Sequence, residues 1–139
     1  MNEEQLLKSG ERINQLFSTD IKIIQNREVF SYSVDSVLLS RFPRFPKNGL
    51  IVDFCAGNGA VGLFASSRTK AKILSVEIQE RLADMAERSV RLNGLDGQMQ
   101  VICDDLKNMP SHIQGSKVDL ILCNPPYFKV DSNSNLNES

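Results

Sequence analysis

Four consecutive residues, Asn124-Pro125-Pro126-Tyr127, bring an amide, two imino acids and a phenol ring together at one corner. The prolines fix φ and carry no N–H, so their carbonyls can only accept hydrogen bonds. The Asn124 oxygen and the Pro125 carbonyl can each take one hydrogen of an –NH2 group. The Tyr127 ring can lie on the face of the planar amide or base that bears it. Such a corner suits chemistry at an exocyclic amine or a carboxamide nitrogen.

A second group of residues can hold a nucleotide-like ligand. Gly57-Asn58-Gly59-Ala60-Val61-Gly62 fits the G-x-G-x-x-G spacing. Glycines there let a ligand approach the backbone, and the following helix start presents unpaired N–H groups. Glu77 falls twenty residues after Gly57, where a carboxylate can accept both hydroxyls of a ribose. Asp53 sits in an apolar run just before the turn, an expensive place for a lone carboxylate. A ligand ammonium or the turn's own N–H groups could compensate it. Asp104 and Asp105 are adjacent and repel, so one should face solvent while the other can accept from an exocyclic amine of a bound base. Phe30-Ser31-Tyr32-Ser33-Val34-Asp35 reads as hairpin packing plus a helix cap. His112, the only histidine, has no partner near it in sequence and is assigned no role.

These residues need elements to place them. Weak helical periodicity runs from Leu6 to Phe17, and residues 21–25 and 28–30 flank Asn26-Arg27 as a short hairpin. Asp35 could cap a helix through Phe42 that Pro43 and Pro46 end. From Leu50 the pattern becomes strand–helix alternation. Strands are predicted at 50–54, 72–76, 99–102 and 118–123, with helices at 60–67 and 80–93. The second helix puts Leu82, Met85, Ala86, Ser89 and Val90 on one face, pairs Asp84 with Arg88 and Glu87 with Arg91, and ends at Gly94. Alternation of this kind implies a parallel sheet with right-handed crossovers. The expected fold is α/β: an incomplete Rossmann-like doubly wound parallel sheet of about four core strands, with an N-terminal helix and hairpin. Residues 1–48 form the N-terminal extension, 49–130 the ligand-binding core, and 131–139 a polar tail too poor in apolar residues to pack, expected to be disordered.

Composition sets the outer limits. The chain has 139 residues, 41% hydrophobic and 24% charged, which suits one soluble globular domain with a sizeable core. Net charge is −1, and the first fifty residues hold seven Lys/Arg against six Asp/Glu, so no global basic field points to nucleic acid. One local groove would suffice for RNA. Cys55, Cys103 and Cys123 are odd in number and lack C-x-x-C spacing, against both a disulfide framework and a zinc site, so no metal is expected. Without a signal peptide or a membrane-length apolar run, no membrane role and a cytoplasmic location are expected.

Taken together, the residues resemble the class I S-adenosylmethionine-dependent methyltransferases. Asp53 through Gly59 is similar to their cofactor loop, Glu77 to their ribose acid, and Asn124-Pro125-Pro126-Tyr127 to their amino-methylating motif. Residues 30–35, 76–86 and 124–129 narrow the resemblance to small-domain enzymes that methylate adenine N6 in valine tRNA. The resemblance covers nearly all of the chain up to Lys129. It implies S-adenosyl-L-methionine as cofactor, held by Asp53, Cys55, Ala56, Gly57, Asn58, Gly59, Glu77, Ile78, Asp105, Leu106 and Asn124. It implies catalysis by Asn124, Pro125, Pro126 and Tyr127, and a nucleic-acid substrate, tRNA above all. Asp105 matches the adenine-binding acid better than Asp104, since the family commonly has Gly at the latter position.

Members of the family continue with further strands after the motif, whereas twelve residues follow Tyr127 here. The expectation is therefore an exposed apolar fourth strand, open to self-association. Alternatives within this chemistry are methylation of protein glutamine or rRNA guanine, or a cofactor-binding fragment without turnover. A nicotinamide-dependent oxidoreductase would share the glycine turn and Glu77 but would leave Asp53 and the proline corner unexplained.

Overall fold

A computed structural model describes residues 2–16, 19–26, 44–108, 113, 115 and 117–123. Its elements in chain order are a 3-10 turn at Glu3–Leu6, β1 (Glu11–Gln15), β2 (Lys22–Asn26), β3 (Leu50–Phe54), α1 (Ala60–Ser66), β4 (Lys72–Glu77), α2 (Glu80–Leu92), β5 (Met99–Cys103), a 3-10 turn at Leu106–Asn108, and β6 (Leu120–Cys123). The helix expected from Asp35, the Phe30–Asp35 segment, His112, the Asn124–Tyr127 corner and the tail lie outside the described residues.

The apolar runs at 50–54, 72–77, 99–103 and 120–123 form a four-stranded sheet in the order β5-β4-β3-β6. All three pairings are parallel: Asp53 lies opposite both Ser75 and Leu122, and Glu77 lies opposite Cys103. Near-continuous apolar strands are what a parallel sheet requires, because both faces are covered. On one face Ile51, Ile73, Met99 and Leu122 pack with Leu63, Phe64 and Ala65 of α1. On the other, Val52, Leu74 and Val76 pack with Phe54, Ile102, Ile113 and Val118. Gly62 allows α1 to sit this close: a Cβ there would lie 2.8 Å from both the Met99 Cε and the Ser75 Oγ. The third glycine of the G-x-G-x-x-G run thus serves helix-on-sheet packing.

The predicted face of α2 is buried at Leu82, Met85, Ala86, Ser89 and Val90. Its end is a Schellman cap. Gly94 takes φ +66, its N–H bonds the Arg91 carbonyl at 3.1 Å, and the Leu95 N–H bonds the Val90 carbonyl at 3.0 Å.

The N-terminal segment departs from expectation. In place of the expected helix from Leu6, the chain passes from the Glu3–Leu6 turn through Gly10 at φ +78 into β1 at Glu11–Gln15. β1 pairs antiparallel with β2, Ile13 opposite Ile24 and Glu11 opposite Asn26. The strand partner of β2 among the described residues is the preceding strand β1, and residues 28–30, the expected hairpin partner, lie outside the described residues. Tertiary need overrides a weak helical period here. Ile23, Ile24, Gln25 and Asn26 are all buried, and their backbone needs a ladder.

β2 in turn docks on α2. The Ile24 N–H donates to the Ser89 Oγ at 2.9 Å and the Lys22 N–H to the Asn93 Oδ1 at 2.8 Å. Leu16 and Ile23 belong to the same core cluster as Ile51, Phe64 and Ile73. Asp84 and Arg88 form the expected i,i+4 pair at 2.9 Å, but Arg88 is buried and also grips Glu11 of β1. At the far side of the sheet, β6 has a strand neighbour only in β3 among the described residues, and Ile121 is 57% exposed.

Candidate cofactor and active site

The carboxyl ends of all four parallel strands converge on one edge. The chain proceeds outward through β3, β4 and β5, then returns to place β6 on the other side of β3. The gap between β3 and β6 is thus a topological switch point, where open α/β sheets bind ligands.

The turn leaving β3 is built for close approach. Cys55 adopts φ +58, a left-handed conformation that costs a non-glycine residue of order 1–3 kcal/mol. Gly57 at φ +58 and Gly59 at φ +91 complete the turn, and a Cβ on Gly57 would meet nothing within 4 Å, so space is open there. The Ala56 N–H ties the turn to the Val76 carbonyl at 3.0 Å, and the Gly59 N–H closes it on the Ala56 carbonyl at 2.9 Å.

Glu77 ends β4 as a buried carboxylate that clamps both flanking loops. Its Oε1 accepts from the Gly57 N–H at 2.8 Å and its Oε2 from the Gln79 N–H at 2.9 Å. Each oxygen keeps one lone-pair direction for a ligand hydroxyl. Ile78, next in the chain, is 56% exposed, so an apolar side chain stands uncovered beside the acid.

After β5 the paired acids separate. The Asp104 Oδ1 accepts from the Asp105 N–H and the Asn108 side-chain amide, both at 2.7 Å, and so caps the local turn. Among the described residues the Asp105 carboxylate accepts from the Lys107 N–H at 3.1 Å, with the Lys107 ammonium 4.0 Å from its other oxygen. Leu106 opens the 3-10 turn that follows. Cys123 ends β6 opposite Phe54. The pKa of the Cys55 thiol is pushed up to about 11 by burial, then by Cys123 and Glu77. Asn124 is the next residue in the sequence.

Two of the expected site residues are almost fully buried. The Asn58 amide is buried and donates to the Ile24 carbonyl of β2 at 3.2 Å, pinning the glycine turn to the N-terminal hairpin. Asp53 points beneath α1, and neither oxygen has a hydrogen-bond partner among the described residues. Burial pushes its pKa up to about 8, offset in part by the Gly62 N–H, which stands outside hydrogen-bond geometry, and reinforced by Glu77.

The unfolded value of Asp53 is 3.8 and the folded value is higher. Its contribution to stability is therefore fully present below pH 3.8 and is lost as pH rises through about 8. Asp53→Asn should remove this dependence. In thermal melts at pH 5 and pH 8.5, in the absence of ligand, wild type should lose several degrees more than the variant. Equal losses would show that Asp53 does not titrate in this way.

Sequence reasoning did not find the Asn58–Ile24 link or the Glu77–Gly57 arm of the clamp, which join residues 34 and 20 apart in the chain. The only hint of the former is a polar residue between two glycines that also fall next to a buried strand end. Among the described residues there is no cluster of three or more metal-ligating side chains, and no helix is long and apolar enough to cross a membrane.

Comparison with known proteins fits this geometry. The tRNA1(Val) (adenine(37)-N6)-methyltransferase of Shewanella halifaxensis is 31% identical over 96 residues, which is 69% of this chain and 39% of that protein. The enzyme of the same name from Bacteroides fragilis is 29% identical over 94 residues, covering 68% of this chain and 40% of its own length. The chain thus spans about two fifths of the length of these curated relatives. Among solved structures, a SAM-dependent methyltransferase from Agrobacterium tumefaciens superposes with a TM-score of 0.64 at 19% identity, over 86% of this chain and 41% of that one. It shares the Rossmann-like fold. Residues 20–137 match the family model of the methyltransferase small domain, and with the glycine turn, strand-end acid and switch-point geometry in place, the chain belongs to that family.

Proposed function

We propose that this chain binds S-adenosyl-L-methionine at the carboxyl edge of its sheet and takes part in methyl transfer to the exocyclic amine of an adenine in tRNA. One observation carries the reading: Gly57, Glu77, Ile78, Asp105 and the end of β6 lie along the same carboxyl edge of the sheet, with the proline corner next in sequence. The residues present fit the cofactor. The open turn at Gly57 can receive a carboxylate or sulfonium chain against backbone N–H groups. Glu77 retains acceptor capacity for ribose hydroxyls, exposed Ile78 offers an apolar face for adenine, and Asp105 offers an acceptor for its amine.

When bound, that cofactor supplies an electrophilic methyl group on a sulfonium. The chain's own residues do the rest. An adenine amine is a poor nucleophile because its lone pair is delocalised into the ring. Asn124 and the Pro125 carbonyl accept its two hydrogens and turn the lone pair out of that conjugation, each bond contributing about 1–3 kcal/mol in a dry site. Pro126 stiffens the corner, and Tyr127 stacks on the base, which must first leave its own stack. Positioning supplies most of the acceleration, of order 7–11 kcal/mol in favourable cases. The transfer would leave a neutral thioether and a cationic methylated nitrogen, whose acidic proton passes to solvent, so the scheme assigns no step to a strong general base.

The test is incubation with methyl-labelled cofactor and unmodified total tRNA, followed by nuclease digestion and mass spectrometry. Label should appear on adenine N6. Label on guanine, or on protein glutamine alone, would overturn the substrate assignment while keeping the chemistry.

A further inference from the structure

Among the described residues, the two ends of the parallel sheet carry opposite charge, and the basic end is away from the candidate site. Four segments meet at the amino ends of the strands: 44–49 before β3, 67–71 before β4, 96–98 before β5, and 117–119 before β6. Hydrogen bonds knit them into one surface. The Lys72 N–H bonds the Gly49 carbonyl at 2.8 Å, the Gln98 amide bonds the Thr69 carbonyl at 2.6 Å, and the Asp119 N–H bonds the Leu50 carbonyl at 2.8 Å. Thr69 also bonds the Pro46 carbonyl.

Six cations stand on this surface: Arg44, Lys47, Arg68, Lys70, Lys72 and Lys117, all exposed. The acids in these segments are Asp96 and Asp119 alone, and Asp119 is engaged with the Leu50 N–H at 2.9 Å. Of the six, only Lys117 has a carboxylate within 4.0 Å among the described residues. A cleft of about 300 Å³ opens at the same end beside Lys72, Gln98 and Ile113.

The carboxyl edge is the reverse, with Glu77, Glu80, Asp104 and Asp105 against Arg81 and Lys107. An RNA approaching that edge meets net negative charge from the described residues. Among the described residues, the cluster of cations able to hold a polyanion is at the opposite end. β3 spans five residues, so the two ends are only about 15 Å apart, and one folded RNA can touch both. The patch offers point charges and no exposed aromatic anchor among the described residues, which suits a phosphate backbone better than a protein partner.

We propose that the amino ends of the parallel strands form a second RNA-contacting surface that grips phosphate backbone while another part of the same RNA occupies the site. This rests on the reading of RNA as substrate.

The experiment measures binding of unmodified total tRNA by fluorescence anisotropy between about 50 and 200 mM salt. It compares the full chain with a variant carrying Arg44→Gln, Lys47→Gln, Lys70→Gln and Lys117→Gln. Arg68, stacked 5.4 Å over the Phe64 ring, and Lys72, bonded to the Gly97 carbonyl, are left in place because they also serve the fold. The variant should bind at least about ten-fold more weakly at the lower salt, with the slope of log affinity against log salt reduced by about 2 or more. Its cofactor affinity and melting temperature should be unchanged.

Equal affinity and slope would overturn the surface. So would wild-type protein that binds no tRNA, or a patch that holds polyglutamate and releases tRNA to it. A wild type that methylates RNA while the variant binds as tightly would sink this inference and spare the functional reading. Patch-dependent tRNA binding without any RNA methylation would do the opposite.

Discussion

Asn124→Ala is expected to lower methyl transfer at least about 100-fold while changing cofactor affinity by no more than about three-fold, as removal of a single oriented polar group at a reacting centre does elsewhere. The asymmetry follows from where the groups lie. In the proposed site, contacts for the cofactor come from the ends of β3, β4 and β5, through Gly57, Glu77, Ile78 and Asp105. Asn124 follows β6, on the other side of the switch point. Truncating its amide removes an acceptor for the target amine and leaves those contacts untouched. Asn124→Asp separates hydrogen-bond acceptance from the amide as such: it retains the accepting oxygen and should keep more activity than alanine. The checks are single-turnover transfer with labelled cofactor and calorimetric cofactor titration on the same preparations. Turnover within three-fold of wild type in Asn124→Ala would remove this residue from the mechanism.

Much of the sheet could be read from the chain because its signals are local. Leu50–Phe54 and Lys72–Glu77 are short apolar runs bounded by glycine or charged residues, and each becomes a strand within a residue of its predicted limits. α2 declares itself through one buried face and a glycine that only its cap requires. The candidate site was legible for the same reason, since parallel strands deliver whatever follows them to one edge. What could not be read is what long-range pairing decides. Glu11–Gln15 is a strand only because β2, sandwiched onto α2, needs a partner. Asn58 sits inside a ligand-type motif, yet its amide serves the Ile24 carbonyl. The segregation of charge between the two sheet ends vanishes in a net charge of −1. Arg88 looked like half of a surface pair with Asp84 because the pair is only four residues apart, while its stronger partner is 77 residues away.

That partner makes Arg88→Met the change expected to damage the fold most. Arg88 and Glu11 side chains are 5% and 2% exposed and form a two-pronged pair, with the second prong at 2.7 Å. The guanidinium also donates to the Leu6 carbonyl at 2.6 Å and to the Asp84 carboxylate at 3.0 Å. One cation thus ties α2 to the first turn, to β1 and to its own preceding turn. Glu11 bonding raises the Arg88 pKa against the effect of burial, and Arg88 bonding holds Glu11 below its ordinary value even though burial pushes it up.

Removing the cation leaves the Glu11 carboxylate buried without its partner, at a cost of about 3–5 kcal/mol. For a domain of this size that lowers the melting temperature by roughly 10–20 °C. A matched Glu11→Leu, Arg88→Met double variant should be more stable than Arg88→Met alone, because no orphaned charge remains. Acid tests the same pair. The stability that Glu11 contributes is present above its unfolded value of 4.5 and is lost as pH falls through the lower folded value, so the deficit of Arg88→Met should shrink below pH 4.5. Loss of β1–β2 docking would also free the Ile24 carbonyl from Asn58 and loosen the glycine turn. Cofactor affinity should therefore fall in Arg88→Met and recover at least in part in the double variant, although Arg88 bonds Leu6, Glu11 and Asp84 and none of the candidate site residues. Melting temperatures of the two variants within about 3 °C of each other would show that the buried pair does not anchor the hairpin.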